Sequence, residues 1–203
     1  MLKYFALFLM TLDHFIIVFC PGLLQYRVIT GFGFAFFAYM VANGFCYTSN
    51  VWKYALKIFI AAVFAQPFFH ILVVDPRLND LFTILFGLLF LIAYKRFGLI
   101  VFSFMILGVL FNIFHVYILF IPMFYFFRTD DKKLFAALFM FHCCLYLIGS
   151  FSLLSFLMSC LLLPIIRACE NYHFHIKLPR HFFYAYYPFH LCFFFITSYF
   201  LSK

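Results

Sequence analysis

Long apolar runs, each cut short by a few charged or turn-forming residues, fill the chain from end to end. At about 20 residues per crossing, they predict helices over about 2–20, 30–48, 52–74, 79–95, 98–112, 116–127, 133–148, 150–166 and 181–201. The breaks fall at Pro21-Gly22, Asp75-Pro76-Arg77, Lys95-Arg96, the Arg128 to Lys133 run, Gly149-Ser150 and the polar stretch from Arg167 to Arg180. These are residues that punctuate helices or resist burial. The uncharged stretch 98–127 reads as two short helices turning at Asn112 to His115. A single helix of about 30 residues would measure about 45 Å against a hydrocarbon core of about 30 Å.

Composition turns this pattern into a class. With 68% hydrophobic and 10% charged residues in a chain of 203, and a mean hydropathy of +1.12, a soluble domain is excluded. The expectation is an all-α, polytopic transmembrane bundle forming one domain over 1–203, with about nine spans and the lipid bilayer as its first partner. Alternating loops place Lys3, Lys53, Lys57, Lys95, Arg96, Arg128, Lys132, Lys133, Arg167, Lys177 and Arg180 on one side, and only Arg27, Arg77 and Lys203 on the other. By the positive-inside rule the N-terminus is cytoplasmic and the C-terminus outside. Fusing 98–127 into one span would reverse every later loop and erase the bias.

Other readings of the composition are weaker. The net charge of +8 is scattered over short loops and forms no face, so no nucleic-acid partner is expected. Tyrosines and Trp52 fall near span ends, where amphipathic rings anchor. The seven cysteines lie mostly in apolar stretches without metal-ligand spacing. His142-Cys143-Cys144 cannot close on one ion, because adjacent helical side chains diverge by about 100°; no metal is expected. The first apolar segment lacks a small-residue cleavage site and carries Asp13-His14 in its core, so it is expected to remain as a helix. No internal repeat is visible.

The chemistry is expected from polar groups inside spans: Asp13 and His14, Asn43, Gln66 before Pro67, His142, Tyr186 and Tyr187 before Pro188, and His190 after it. Ionisable groups at that depth are expensive and mark functional sites. Asp13 is the only acidic residue deep within a predicted span. His14 and His190 sit at similar depth, whereas isolated His142 reads as a core histidine bonded to a neighbouring helix, and His173, His175 and His181 belong to a wet loop and its margin. Pro188 loosens the helix just before His190, and such breaks are tolerated only against protein or a polar cavity.

These residues carry a resemblance. Ala6-Leu7-Phe8-Leu9-Met10-Thr11-Leu12-Asp13-His14, then Phe34 to Tyr39 through Gly44-Phe45 and Tyr47-Thr48, Lys53-Tyr54, Gln66-Pro67, Asn79-Asp80-Leu81-Phe82-Thr83, and Leu178-Pro179-Arg180 to Tyr187-Pro188-Phe189-His190-Leu191 resemble the TraX family. The resemblance implies an integral protein of the bacterial inner membrane that acetylates the N-terminal amine of a conjugative pilin, or another small membrane-protein acceptor, with acetyl-CoA as donor. Where the family has Gly-Arg shortly before Phe-Pro, this chain has Thr30-Gly31 and then Phe34-Ala35. Arg27, one helical turn earlier, is the nearest guanidinium.

Acyl transfer to an amine needs a base near neutral pKa, which suits histidine. The expectation is that His14 is that base, that Asp13 pairs with His190 or Tyr187 on another helix, and that Tyr187 or Asn43 donates to the oxyanion. Arg27, Asn43, Lys53, Lys57 and Arg180, with Lys95, are the candidate donor-binding residues, the cations meeting the CoA phosphates. Mid-membrane Asp, His and Tyr also suit a proton-coupled transporter, and a catalytically silent scaffold of a pilus machine would account for the missing arginine.

Overall fold

The computed structural model describes residues 1–73, 78–111, 115–147, 153–172, 179 and 182–201. Among these the chain is helical throughout, without a strand. In order come α1 (Leu2–Phe19), a 3-10 turn (Pro21–Tyr26), α2 (Arg27–Thr30), α3 (Gly33–Tyr47), α4 (Val51–Val73), α5 (Asp80–Phe97), α6 (Ile100–Leu110), a second 3-10 turn (Val116–Leu119), α7 (Phe120–Phe127), α8 (Asp131–Leu147), α9 (Leu153–Asn171) and α10 (Phe182–Leu201). Every predicted helical stretch is found, and α2 is one turn more. Asp75-Pro76-Arg77, Gly149-Ser150, His173, His175, Lys177, Arg180 and His181 lie outside the described residues.

The helix ends follow local chemistry. α1 stops before Pro21, which has no amide hydrogen to continue it. α5 begins at Asn79, whose side chain accepts the Leu81 amide hydrogen (3.0 Å), and ends at Lys95-Arg96 before Gly98, where φ is +71° and only glycine is at ease. α8 begins after Asp130, whose carboxylate accepts the Lys133 amide hydrogen (3.1 Å). α9 runs past its predicted end at 166 to Asn171. Its charged residues do not break it, because Arg167 pairs with Asp131 on α8 and with Glu170, while Glu170 accepts the Tyr39 hydroxyl from α3 (2.5 Å).

The split of 98–127 is confirmed by packing. Phe102 near the start of α6 lies 5.5 Å, ring to ring, from Phe126 near the end of α7, and both touch Tyr94 at the end of α5. The two helices therefore run antiparallel, and the hairpin starts and ends on the same side. At 1.5 Å per residue α6 measures about 16 Å and α7 about 12 Å, each well short of a bilayer core.

α1 and α4 are long and apolar enough to cross a membrane. Large apolar side chains cover outward faces, among them Phe8, Leu56, Phe64, Phe189 and Phe193, far more than a water-facing surface usually presents. Cations gather at one end instead: Lys3 over Phe183, Lys57 over Tyr184, Lys95 over Phe45 and Arg128 over Tyr47. The main core lies between α3, α5 and α7 around Phe36, Leu88 and Phe124; a smaller one of Leu7, Met10, Ala65, Phe69, Tyr187 and Leu191 joins α1, α4 and α10. The functional side chains border this second core.

Candidate active site

Successive side chains on a helix leave it about 100° apart, and α1 uses that divergence. His14 turns towards α10, where its ring is 5.1 Å from His190 and 5.8 Å from Tyr187, with Phe69 of α4 on a third side at 6.4 Å. Asp13 turns towards α2, where Arg27 Nε and Nη2 donate to its two oxygens (3.2 and 3.0 Å) and the Thr30 hydroxyl adds a third bond (2.5 Å).

The expected pairing of Asp13 with His190 or Tyr187 is therefore not the one that forms. Arg27 and Thr30 fill the carboxylate, and His190 is anchored within its own helix. Arg27 is 44% exposed at the edge of the site, with Asp13 13% exposed beneath it. Arg27 and Gly31 are four residues apart and share a helical face, though only Gly31 lines the cavity beside His14.

His14 is buried, with 2% of its surface exposed. Its Nδ1 lies 2.8 Å from the Met10 carbonyl oxygen. A carbonyl only accepts, so Nδ1 carries a hydrogen, and in the neutral ring the lone pair is on Nε2. His190 repeats this arrangement on the Tyr186 carbonyl (3.1 Å), leaving a buried Nε2 with no hydrogen-bond partner among the described residues. Its ring stacks on Tyr186 (5.4 Å, 12°). The Tyr186 hydroxyl in turn meets Thr11 Oγ1 (2.9 Å); since the Thr11 hydrogen goes to the Leu7 carbonyl (2.7 Å), Tyr186 is the donor. α10 stays helical through Pro188, as does α4 through Pro67. His142 anchors its Nδ1 on the Leu138 carbonyl (2.7 Å) and packs against Phe32 and Phe120, away from this site.

A narrow cavity of about 50 Å³ opens beside His14, lined also by Asp13, Thr30, Gly31, Asp80 and Tyr187. The Tyr187 hydroxyl is buried beside the Asp80 backbone amide, outside hydrogen-bonding geometry and without a partner among the described residues. Asp80 carries part of the family resemblance but is not among the site residues expected from the sequence. Asn79-Asp80 looks like an ordinary helix start, a cap followed by an acidic first turn, and the usable signal was a second carboxylate within a predicted span.

Phe37, Leu81, Ile84 and Phe183 line this cavity and also a larger chamber of about 650 Å³, which reaches Lys3, Tyr47, Thr48 and Tyr54 at the cationic end. The chamber and the cavity thus adjoin across these four side chains, the chamber on the cationic side and the cavity beside His14. Lys57 lies against Tyr184, which lines the chamber, and Lys53 is exposed on the first turn of α4. Asn43 does not join the site. It neighbours Tyr39 and lines neither cavity, whereas Tyr187 lines the cavity beside His14.

The fold and site define a helical bundle, apolar outside, with two histidines, His14 and His190, facing each other between α1 and α10. The family model described as TraX protein matches residues 1–198, and the chain belongs to the TraX family. No curated protein and no solved structure matches the chain.

Proposed function

We propose that this chain is a multi-pass acetyltransferase of the bacterial inner membrane. It moves an acetyl group from cytosolic acetyl-CoA to an acceptor amine, and family membership points to the N-terminus of a conjugative pilin subunit. In this reading α1, α3, α4, α5, α8, α9 and α10 cross the bilayer, and the α6–α7 hairpin enters and leaves on the cationic face. That face, with the N-terminus, lies in the cytoplasm. The hairpin replaces two of the nine expected spans and leaves the orientation of every later loop unchanged.

The observation that carries the proposal is the shared wall between the chamber and the His14 cavity. A thioester arm enters past Lys3, with Lys53 and Lys57 near the mouth for the phosphates, and places its carbonyl beside His14. The acceptor comes from the Arg27 side.

The acceptor ammonium first gives one proton to water. As nitrogen attacks the thioester carbonyl, a C–N bond forms and a second proton passes to His14 Nε2, whose lone pair is kept free by the Nδ1 bond to Met10. The Tyr187 hydroxyl donates to the oxyanion. The C–S bond then breaks, and the CoA thiolate takes the proton from His14. Asp13, already neutralised by Arg27, shapes the rim and exchanges no proton.

The test uses protein in vesicles, labelled acetyl-CoA supplied to the cationic face, and a peptide with a free N-terminal amine. Label moves to the peptide with the native chain and not with His14→Ala. If the native chain labels no amine but drives substrate-dependent proton movement, the transporter reading takes its place.

A further inference from the structure

We propose that Asp80 and Tyr187 form the subsite that holds the acceptor's amine in its charged, ammonium form, so that Asp80 sets the preference for amines over hydroxyls. The inference deepens the acetyltransferase reading and rests on it for what happens to the amine once bound.

The charges around the cavity do not balance. Arg27 is committed to Asp13, with both oxygens engaged. Asp80 faces the same cavity, is open to it, and has no hydrogen-bond or ion-pair partner for its carboxylate among the described residues. With Arg27 turned to Asp13, Asp80 meets the cavity without a bonded cation among the described residues. A carboxylate open to a cavity between helices is completed by a cation or a proton taken from that cavity.

The carboxylate is also held in place from behind. Asn79, fully buried, donates from Nδ2 to the Ala62 carbonyl (2.8 Å) and to Gln66 Oε1 (2.9 Å), and its backbone N–H also donates to Gln66 Oε1 (2.9 Å). With its cap bond to Leu81, these fasten the first turn of α5 to α4 at the turn before Pro67. Asp80 is thereby kept at the cavity wall.

The second, independent feature is the Tyr187 hydroxyl, 3% exposed, unpartnered and lining the same cavity. An ammonium has three hydrogens to donate. The wall offers three kinds of acceptor for them: the Asp80 carboxylate, the Tyr187 oxygen and His14 Nε2. Because a hydroxyl donates as well as accepts, Tyr187 can take an ammonium hydrogen and still present its own to the oxyanion. An alcohol in the same place would leave Asp80 uncompensated.

The probe is a short peptide, Ala-Gly-Gly amide with a free amine, compared with its N-acetylated twin in binding to the full chain in nanodiscs. We expect the native chain to prefer the free amine by about tenfold, the scale of one charge-assisted contact. Asp80→Asn abolishes that preference, and Asp80→Glu, which keeps the charge, retains most of it. The inference is overturned if the native chain shows no preference, or if a folded Asp80→Asn keeps it. Labelled acetyl transfer is scored separately. Preference without transfer removes the catalytic reading and leaves the subsite standing; transfer with unaltered amine binding in Asp80→Asn does the reverse.

Discussion

Arg27 grips Asp13 through two hydrogen bonds from one guanidinium, across fourteen positions of sequence, and Thr30 completes the carboxylate with a bond of 2.5 Å. The aspartate that looks most expensive in the sequence is thus already compensated inside the fold.

Removing Thr30's hydroxyl tests that compensation. Thr30→Val keeps the side chain's shape and takes away one hydrogen bond to a charged, mostly buried group, which costs roughly 1–3 kcal/mol. Thermal unfolding of the purified chain reads the loss. Arg27→Ala should lower stability further in the same assay, and Arg27→Lys, which keeps the charge but not the two-pronged geometry, should fall between.

His190 touches the His14 ring and does not line the cavity, so the proposed mechanism makes it a positioning residue. His190→Ala is expected to lower kcat by roughly tenfold to a hundredfold, as losing an orienting neighbour typically does, with the KM for acetyl-CoA unchanged. The pH–rate profile separates the roles. If the imidazole matters only as packing, His190→Phe restores the native rate and profile; if its nitrogens matter, the profile stays altered.

How far the sequence foretold this structure depends on the range of the forces involved. Helix positions were legible because Pro21, Lys95-Arg96 and Asp130 act within a turn of where they stand. The α6–α7 break was legible from length alone. The end of α9 was misread because Arg167 is satisfied by Asp131, on another helix. The importance of His14 and His190 could be read from depth, but their meeting could not, since helix packing is set by contacts that one chain does not announce. Asp13's partner was missed for the same reason, and Asp80 hid behind the capping role of its neighbour.

α5 and α7 approach closely at Gly87. A Cβ there would run into the Ile121 side chain, which is fully buried. Gly87→Ala gains about 1 kcal/mol in helix propensity and loses roughly 1–3 kcal/mol to overpacking, so a net destabilisation is expected. Ile121→Val removes the offending methyl, and the double variant should be more stable than the sum of the single effects predicts. Denaturation midpoints of the four chains close the cycle.

Asp130 gives stability a pH dependence outside the membrane. The Lys133 backbone N–H, and then its side chain, lower the Asp130 carboxyl below the ordinary 3.8. A depressed folded-state pKa means the contribution is full above the unfolded value and is lost as pH falls through the folded one. Thermal unfolding of native and Asp130→Asn chains should therefore differ at about pH 6 and converge towards about pH 3. A difference that persists unchanged in acid would contradict this.

The most direct test of the account is the intact mass and N-terminal peptide of membrane-resident pilin from cells carrying the native chain or His14→Ala. The account predicts one acetyl group on the pilin N-terminal amine with the native chain and none with the variant, both proteins being present in the membrane. Pilin that is unacetylated in both, or acetylated in both, would contradict a transferase centred on His14.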